Sequence, residues 1–133
     1  MIIHAISDTH TKHRELNLPG GEVLIHAGDF MSSGYGLDDA IDFLNWFNNQ
    51  KYKHKIFIAG NHDRIFEDNP EGMKLVLDAY PTITYLQDEG CTIEGINFMV
   101  RLGHQHFVVG HFNYIMITKI QKFGERFQQI LMC

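Results

Sequence analysis

Cysteine and proline are scarce in this chain, with two of the first and three of the second in 133 residues. Cys91 and Cys133 lie far apart and in no metal-binding spacing, which excludes a disulfide-stapled scaffold or a thiolate zinc site. Two reduced, unpaired thiols are expected. No repeat and no low-complexity linker interrupts the chain. No apolar stretch approaches the ~20 residues of a membrane span. Positive charge is also short: 11 Lys and Arg stand against 16 Asp and Glu, a formal net charge of −5. That balance offers no electrostatic footprint for a nucleic-acid backbone, so a small phosphorylated partner is the easier expectation. Met1 leads directly into a strand-like run without a basic n-region and an apolar h-region, and the expected location is the cytoplasm.

What the chain does have is an ordinary globular composition, 44% hydrophobic and 20% charged, suited to one domain. Ile2-Ile3-His4-Ala5-Ile6, Val23-Leu24-Ile25-His26-Ala27 and Lys55-Ile56-Phe57-Ile58-Ala59 are short, apolar and β-branched, as expected of strands buried on both faces. Leu18-Pro19-Gly20-Gly21 is a turn closing a long first connection. From Leu37 to about Asn49 the apolar residues Leu37, Ile41, Phe43, Leu44, Trp46 and Phe47 recur at helical spacing, with Asp38, Asp39 and Asp42 towards the positive N-terminal end. Trp46 and its aromatic neighbours read as core. Asn69-Pro70-Glu71 opens a second helix to Ala79, stopped by Tyr80-Pro81. Ile83 to Leu86 reads as one more parallel strand, and Cys91-Thr92-Ile93 with Ile96-Asn97-Phe98 as a hairpin.

Each of the first three runs ends in an acid- or histidine-rich string: Asp8-Thr9-His10, Gly28-Asp29 and Gly60-Asn61-His62-Asp63. Ligands of open α/β sheets collect where parallel strands end. Carboxylate oxygens, an amide oxygen and imidazole suit hard divalent ions, and hydrolysis at phosphorus gains most when two ions ~3.5–4 Å apart clamp the attacking and leaving oxygens. Singly, each string has a bland reading: a turn with a solvated aspartate, a helix cap, a left-handed asparagine. Three in order, each after a strand, outweigh those readings. His26, inside its strand, reads as packed or supporting rather than as a ligand, and His4, His13 and His54 rank lower as ligands.

The ordered strings resemble the calcineurin-like metallophosphoesterases, whose signature runs D-x-H, G-D, G-N-H-[DE], a lone His, then G-H-x-H. The resemblance covers residues 1 to about 98 and implies an α/β fold, half of an α/β/α sandwich with a mixed sheet. It implies two divalent ions, of Mn, Fe, Mg or Zn. Asp8 and His10 would bind the first, Asp29 would bridge the pair, and Asn61 would bind the second through its amide oxygen. His62 would donate a proton or hydrogen bond to the leaving group, oriented by Asp63. Arg64 could pair with a substrate phosphate, or with Glu67 or Asp68 on the surface. The implied activity is hydrolysis of a phosphomonoester or phosphodiester, nucleotides among them, by a metal-activated hydroxide. The rival expectation is a non-catalytic binding or scaffold module on the same fold.

Residues 99–133 depart from that pattern. Gly103-His104-Gln105-His106 matches G-H-x-H by letters, but no separate histidine-bearing strand precedes it after Asp63. Read one nucleotide back, the junction of Met99 and Val100 encodes Gly. Allowed synonymous codons then permit G-S-P-W-T-P-T-F and, near Phe123 to Gln129, I-W-R-E-I-P-T-D. These strings are similar to the family's continuation towards its next metal-binding histidine. The expectation is a frameshifted tail that ends before that ligand and packs poorly, with His104 and His106 away from the cluster. The competing expectation is a compact variant in which His104 and His106 complete the second metal site. An incomplete sandwich would expose apolar sheet surface, so self-association and loss of activity are both expected outcomes of such a chain.

Overall fold

In the computed structural model, residues 1–32, 34–87, 89–103, 112–119 and 129–132 are described, with side chains described as far as residue 98. Four short runs form one parallel sheet: β1 (Ile3–Ile6), β2 (Gly21–His26), β3 (Tyr52–Phe57) and β4 (Ile83–Tyr85), paired in that order. The register places Ile6 opposite His26, His26 opposite Phe57 and Phe57 opposite Tyr85. All four strands therefore end on one line, and the loops that follow them leave from the same sheet edge.

The predicted strands and helices are present with shifted ends. β3 begins at Tyr52, three residues before the predicted start, because Tyr52 pairs with Gly21 in spite of the polar Lys53 and His54. Lys55 is buried within it and spends its ammonium on the carbonyls of Asn48, Gln50 and Tyr52, at 3.0, 3.3 and 3.5 Å. Those carbonyls lie around the C-terminal end of α1 (Leu37–Asn48), where a cation complements the helix dipole. The short helix α2 (Ile65–Asp68) has no counterpart in the sequence reading. The next helix, α3 (Pro70–Asp78), starts at a proline in the first turn, and Asn69 caps it by accepting from the Gly72 N–H at 3.1 Å.

α1 and α3 cover the sheet through one cluster that includes Leu24, Phe30, Met31, Phe43, Leu44, Trp46, Phe47, Phe57, Phe66 and Met73. Phe30 stacks on Phe43 with ring centroids 3.9 Å apart and meets Phe57 and Phe66 edge-on. At about 1.5–3 kcal/mol for each large side chain buried, this cluster is the main reason the first unit holds its shape. In the first connection a single 3-10 turn, His13–Glu15, is pinned to α1 because both His13 and Arg14 bond Asp42.

The chain divides into two compact units, Met1–Tyr85 and Leu86–Cys133. The second contains an antiparallel sheet, β5 (Gly90–Ile93), β6 (Ile96–Gly103), β7 (Phe112–Lys119) and β8 (Gln129–Met132), in sequence order. The parallel and antiparallel strands thus lie in two separate sheets. β5 and β6 form the expected hairpin, turned at Glu94-Gly95, both with positive φ. The apolar run Ile115-Met116-Ile117 is part of β7. Among the described residues no helix is long and apolar enough to cross a membrane.

Candidate metal centre

The loops after β1 and β2 are joined by a ladder that extends the parallel pairing beyond the sheet. Asp8, His10 and Thr11 donate their N–H groups to the carbonyls of Gly28, Asp29 and Phe30 at 3.0, 3.1 and 2.8 Å. The price is a left-handed backbone at Asp8 (φ 54°), His10 (φ 40°), Thr11 (φ 67°) and Asp29 (φ 59°). Such a conformation costs about 1–2 kcal/mol for an L-residue with a Cβ, and it concentrates at functional sites. The ladder and the complete burial of Phe30 and Met31, next to Asp29, offset that strain.

This folding brings together one donor atom each from Asp8, His10 and Asp29, all within 4.8 Å of one another. His10 Nδ1 lies 3.1 Å from the Met31 carbonyl. A carbonyl only accepts, so Nδ1 carries the proton and Nε2 keeps its lone pair for a ligand, as in most metal-binding histidines. The Asn61 amide lies 3.1 and 3.3 Å from the two Asp29 carboxylate oxygens. With its nitrogen turned inwards it donates to them; with its oxygen inwards, two acceptors face each other, and a cation between them makes that orientation favourable. Two carboxylates, an imidazole and an amide oxygen fit a hard divalent ion.

The third loop is seated by Asp63. Its buried carboxylate accepts from the N–H groups of Asp29 at 2.7 Å, Met31 at 2.9 Å and Gly60 at 2.8 Å. Burial pushes this carboxyl up to about 6, against the opposite pull of the three amides and with a small addition from the neighbouring Asp29 charge. The sequence expectation gives Asp63 the orientation of His62; the bonds its carboxylate makes here are to backbone amides of its own loop and of the loop after β2. Two glycines allow the approach. A Cβ on Gly28, at φ +97°, would stand 2.8 Å from the Gly60 nitrogen, and one on Gly60 would run into the Asp29 carboxylate.

His62 is exposed, donates its backbone N–H to Asp29 Oδ1 at 2.9 Å, and sets its ring edge-on to His10 with centroids 5.0 Å apart. Arg64 is exposed, and among the described residues it makes no ion pair with Glu67 or Asp68. Its loop is held by the Ile65 N–H, which donates to the Gly34 carbonyl at 2.6 Å. His104 and His106 lie outside the described residues, as does Cys133, whereas Cys91 is a free thiol. His26 is fully buried, edge-on to the stacked Phe30 and Phe43 rings, and is not among the converging donors. The sequence reading missed Thr9, which bonds the His26 ring at 3.0 Å, and the Met31 carbonyl that sets the His10 tautomer.

The model of the calcineurin-like phosphoesterase family matches residues 1–128. Over 104 residues the chain is 36% identical to UPF0046 protein K07C11.7 of Caenorhabditis elegans, covering 70% of this chain and 36% of that protein. Over 110 residues it is 32% identical to metallophosphoesterase domain-containing protein 1 of Homo sapiens, covering 68% of this chain and 33% of that protein. A probable rhamnogalacturonate lyase C of Emericella nidulans is 32% identical over 108 residues, which is 79% of this chain and 10% of that protein. The chain spans about a third of the length of the first two relatives.

Proposed function

The chain belongs to the calcineurin-like phosphoesterase family, and from that premise we propose that it is a metal-dependent hydrolase of small phosphomonoesters or phosphodiesters. The observation that carries this reading is the convergence of Asp8, His10 and Asp29 within 4.8 Å, with the Asn61 amide against Asp29. These four residues would hold divalent ions, Asp29 serving as the shared ligand. Ions bound there would supply the acidification of water and the neutralisation of phosphoryl charge that hydrolysis at phosphorus needs.

The protein's own groups do the rest. Asp63 holds the Gly28-Asp29 and Gly60-Asn61 segments at a fixed spacing, so that ligands from two loops face one centre. The exposed His62 ring beside His10 donates a proton to the leaving oxygen. Arg64, with no ion pair among the described residues, binds a substrate phosphate oxygen through its planar fork. The net charge of −5 supports a small substrate, nucleotides included, over a nucleic-acid polymer.

Titration with Mn²⁺ while following p-nitrophenyl phosphate and bis-p-nitrophenyl phosphate tests the reading and separates monoesterase from diesterase. Metal-dependent turnover of either ester is the expected result. Tight metal uptake without turnover would favour the binding or scaffold module, and no uptake would remove the metal centre. For residues 99–133 the proposal remains a shifted reading frame. The family match itself runs to residue 128, so that proposal rests on codons inferred from the amino-acid sequence alone. Coding DNA around codon 98 that fails to yield G-S-P-W in the neighbouring frame would overturn it.

A further inference from the structure

His26 links the two strained loops from beneath. Its ring has no exposed surface, and both ring nitrogens are engaged: the Gly28 N–H points at Nδ1 at 3.2 Å, and Thr9 Oγ1 lies 3.0 Å from Nε2. An N–H can only donate, so Nδ1 is the acceptor and the proton is on Nε2, directed at the Thr9 hydroxyl. Burial pushes the imidazole down to about 3, so the ring is neutral in this one tautomer. Phe30 and Phe43 meet the ring edge-on at 5.7 and 5.1 Å and prevent it from turning over. Thr9 stands between Asp8 and His10, and Gly28 precedes Asp29. The ring therefore grips both ligand-bearing loops from a position fixed by the core.

We propose that His26 and Thr9 form a positioning pair that sets the spacing of the Asp8-Thr9-His10 loop relative to Gly28-Asp29, and thereby the affinity of the centre for a divalent cation. This rests on the metal-centre reading above. Neither residue touches the ion or the substrate. Their effect passes through the backbone of residues already strained, where a small relaxation moves three donor atoms at once. Partners that orient metal ligands in this way typically change affinity 10- to 100-fold when removed.

The test is calorimetric titration of the full chain with Mn²⁺ at 25 °C, on variants first shown by circular dichroism to be folded. Thr9→Val keeps the shape of the side chain and removes the acceptor; it is expected to weaken Mn²⁺ binding about tenfold, and Thr9→Ser to restore it to within about twofold. His26→Asn retains an oxygen for the Gly28 N–H but withdraws the donor from Thr9, and gives a similar loss. Val76→Ala, at the edge of the hydrophobic cluster and far from the loops in sequence, lowers the melting temperature and leaves affinity unchanged. Wild-type affinity in folded Thr9→Val, or an equal loss in Val76→Ala, overturns the positioning role. A wild-type chain that takes up no Mn²⁺ overturns the metal reading and this proposal with it, an outcome distinct from the other two.

Discussion

The two halves of the candidate centre are built differently. The loops after β1 and β2 have four non-glycine residues at positive φ, a three-rung hydrogen-bond ladder and buried anchors at His26, Phe30 and Met31. The loop after β3 has Asn61 and His62 exposed and no non-glycine residue at positive φ; Asp63 fastens it to its neighbour by accepting from the Asp29 and Met31 N–H groups, and braces the loop itself by accepting from the Gly60 N–H. Strain is stored where ligand positions are over-determined by packing, which is how a preorganised cation site is made. The third loop retains side-chain freedom, which suits groups that must meet a substrate. Asp8, His10 and Asp29 form the rigid part, and Asn61, His62 and Arg64 the adaptable part.

The largest expected effect comes from breaking the rigid part. Asp29→Ala removes the carboxylate that faces Asp8, His10, Asn61 and the His62 N–H, and is expected to abolish divalent-dependent hydrolysis in an assay with p-nitrophenyl phosphate. Residual metal-dependent turnover would show that the centre lies elsewhere. Separating the two parts is next. Asp63→Ala strands three backbone N–H groups, each about 1–3 kcal/mol when buried and unpaired, and part of that loss is recovered by relaxation. A fall of about 3 kcal/mol in the urea-unfolding free energy of the metal-free chain is expected, and a smaller fall for Asp63→Asn, which keeps one acceptor oxygen.

A pH dependence sharpens the comparison from the rigid side. His26 is held at about 3 by burial when folded, opposed by Asp8 and assisted by His13 and His10, and it returns to about 6.5 when unfolded. Between those values the unfolded chain binds a proton that the folded chain does not, so stability falls as pH drops below about 6.5. By pH 5 this one group accounts for about 2 kcal/mol, and its slope fades away as pH rises through 6.5. Asp63, raised to about 6, binds its proton more readily in the folded chain and so gains stability over the same range, offsetting part of this loss. The His26 share is therefore read as the difference between wild type and His26→Gln in urea unfolding in EDTA at pH 7 and pH 5, the variant being expected to lose less stability on acidification. The smallest effect on the ion belongs to the adaptable part. His62→Ala is expected to leave Mn²⁺ affinity within about twofold while slowing esters with poor leaving groups most, because a general acid matters in proportion to the leaving group's need for a proton.

The rigid part was the more legible in sequence. Apolar, β-branched runs leading into Asp8 and Asp29 announce parallel strands with polar residues at their ends, because periodicity and strand-end position are local properties. The grip of His26 on Thr9 spans 17 residues, and that of Asp63 on Asp29 spans 34. Neither leaves a periodic trace, so the sequence shows His26 only as packed or supporting and Asp63 only as the chain neighbour of His62. Helix α2 is not legible in the sequence because four residues are too few to display a 3.6-residue period. The early start of β3 is hidden because Lys53 and His54 break the apolar run that pairing with Gly21 carries through.

The central claim is that Asp8, His10, Asp29 and Asn61 form one divalent-metal centre with Asp29 as the shared ligand, and anomalous diffraction at the manganese edge from crystals grown with Mn²⁺ tests it most directly. The account predicts a peak at the common edge of the parallel sheet, within bonding distance of an Asp29 carboxylate oxygen and of His10 Nε2. A peak ligated by other residues with Asp29 unengaged, or no peak at saturating Mn²⁺, would contradict it.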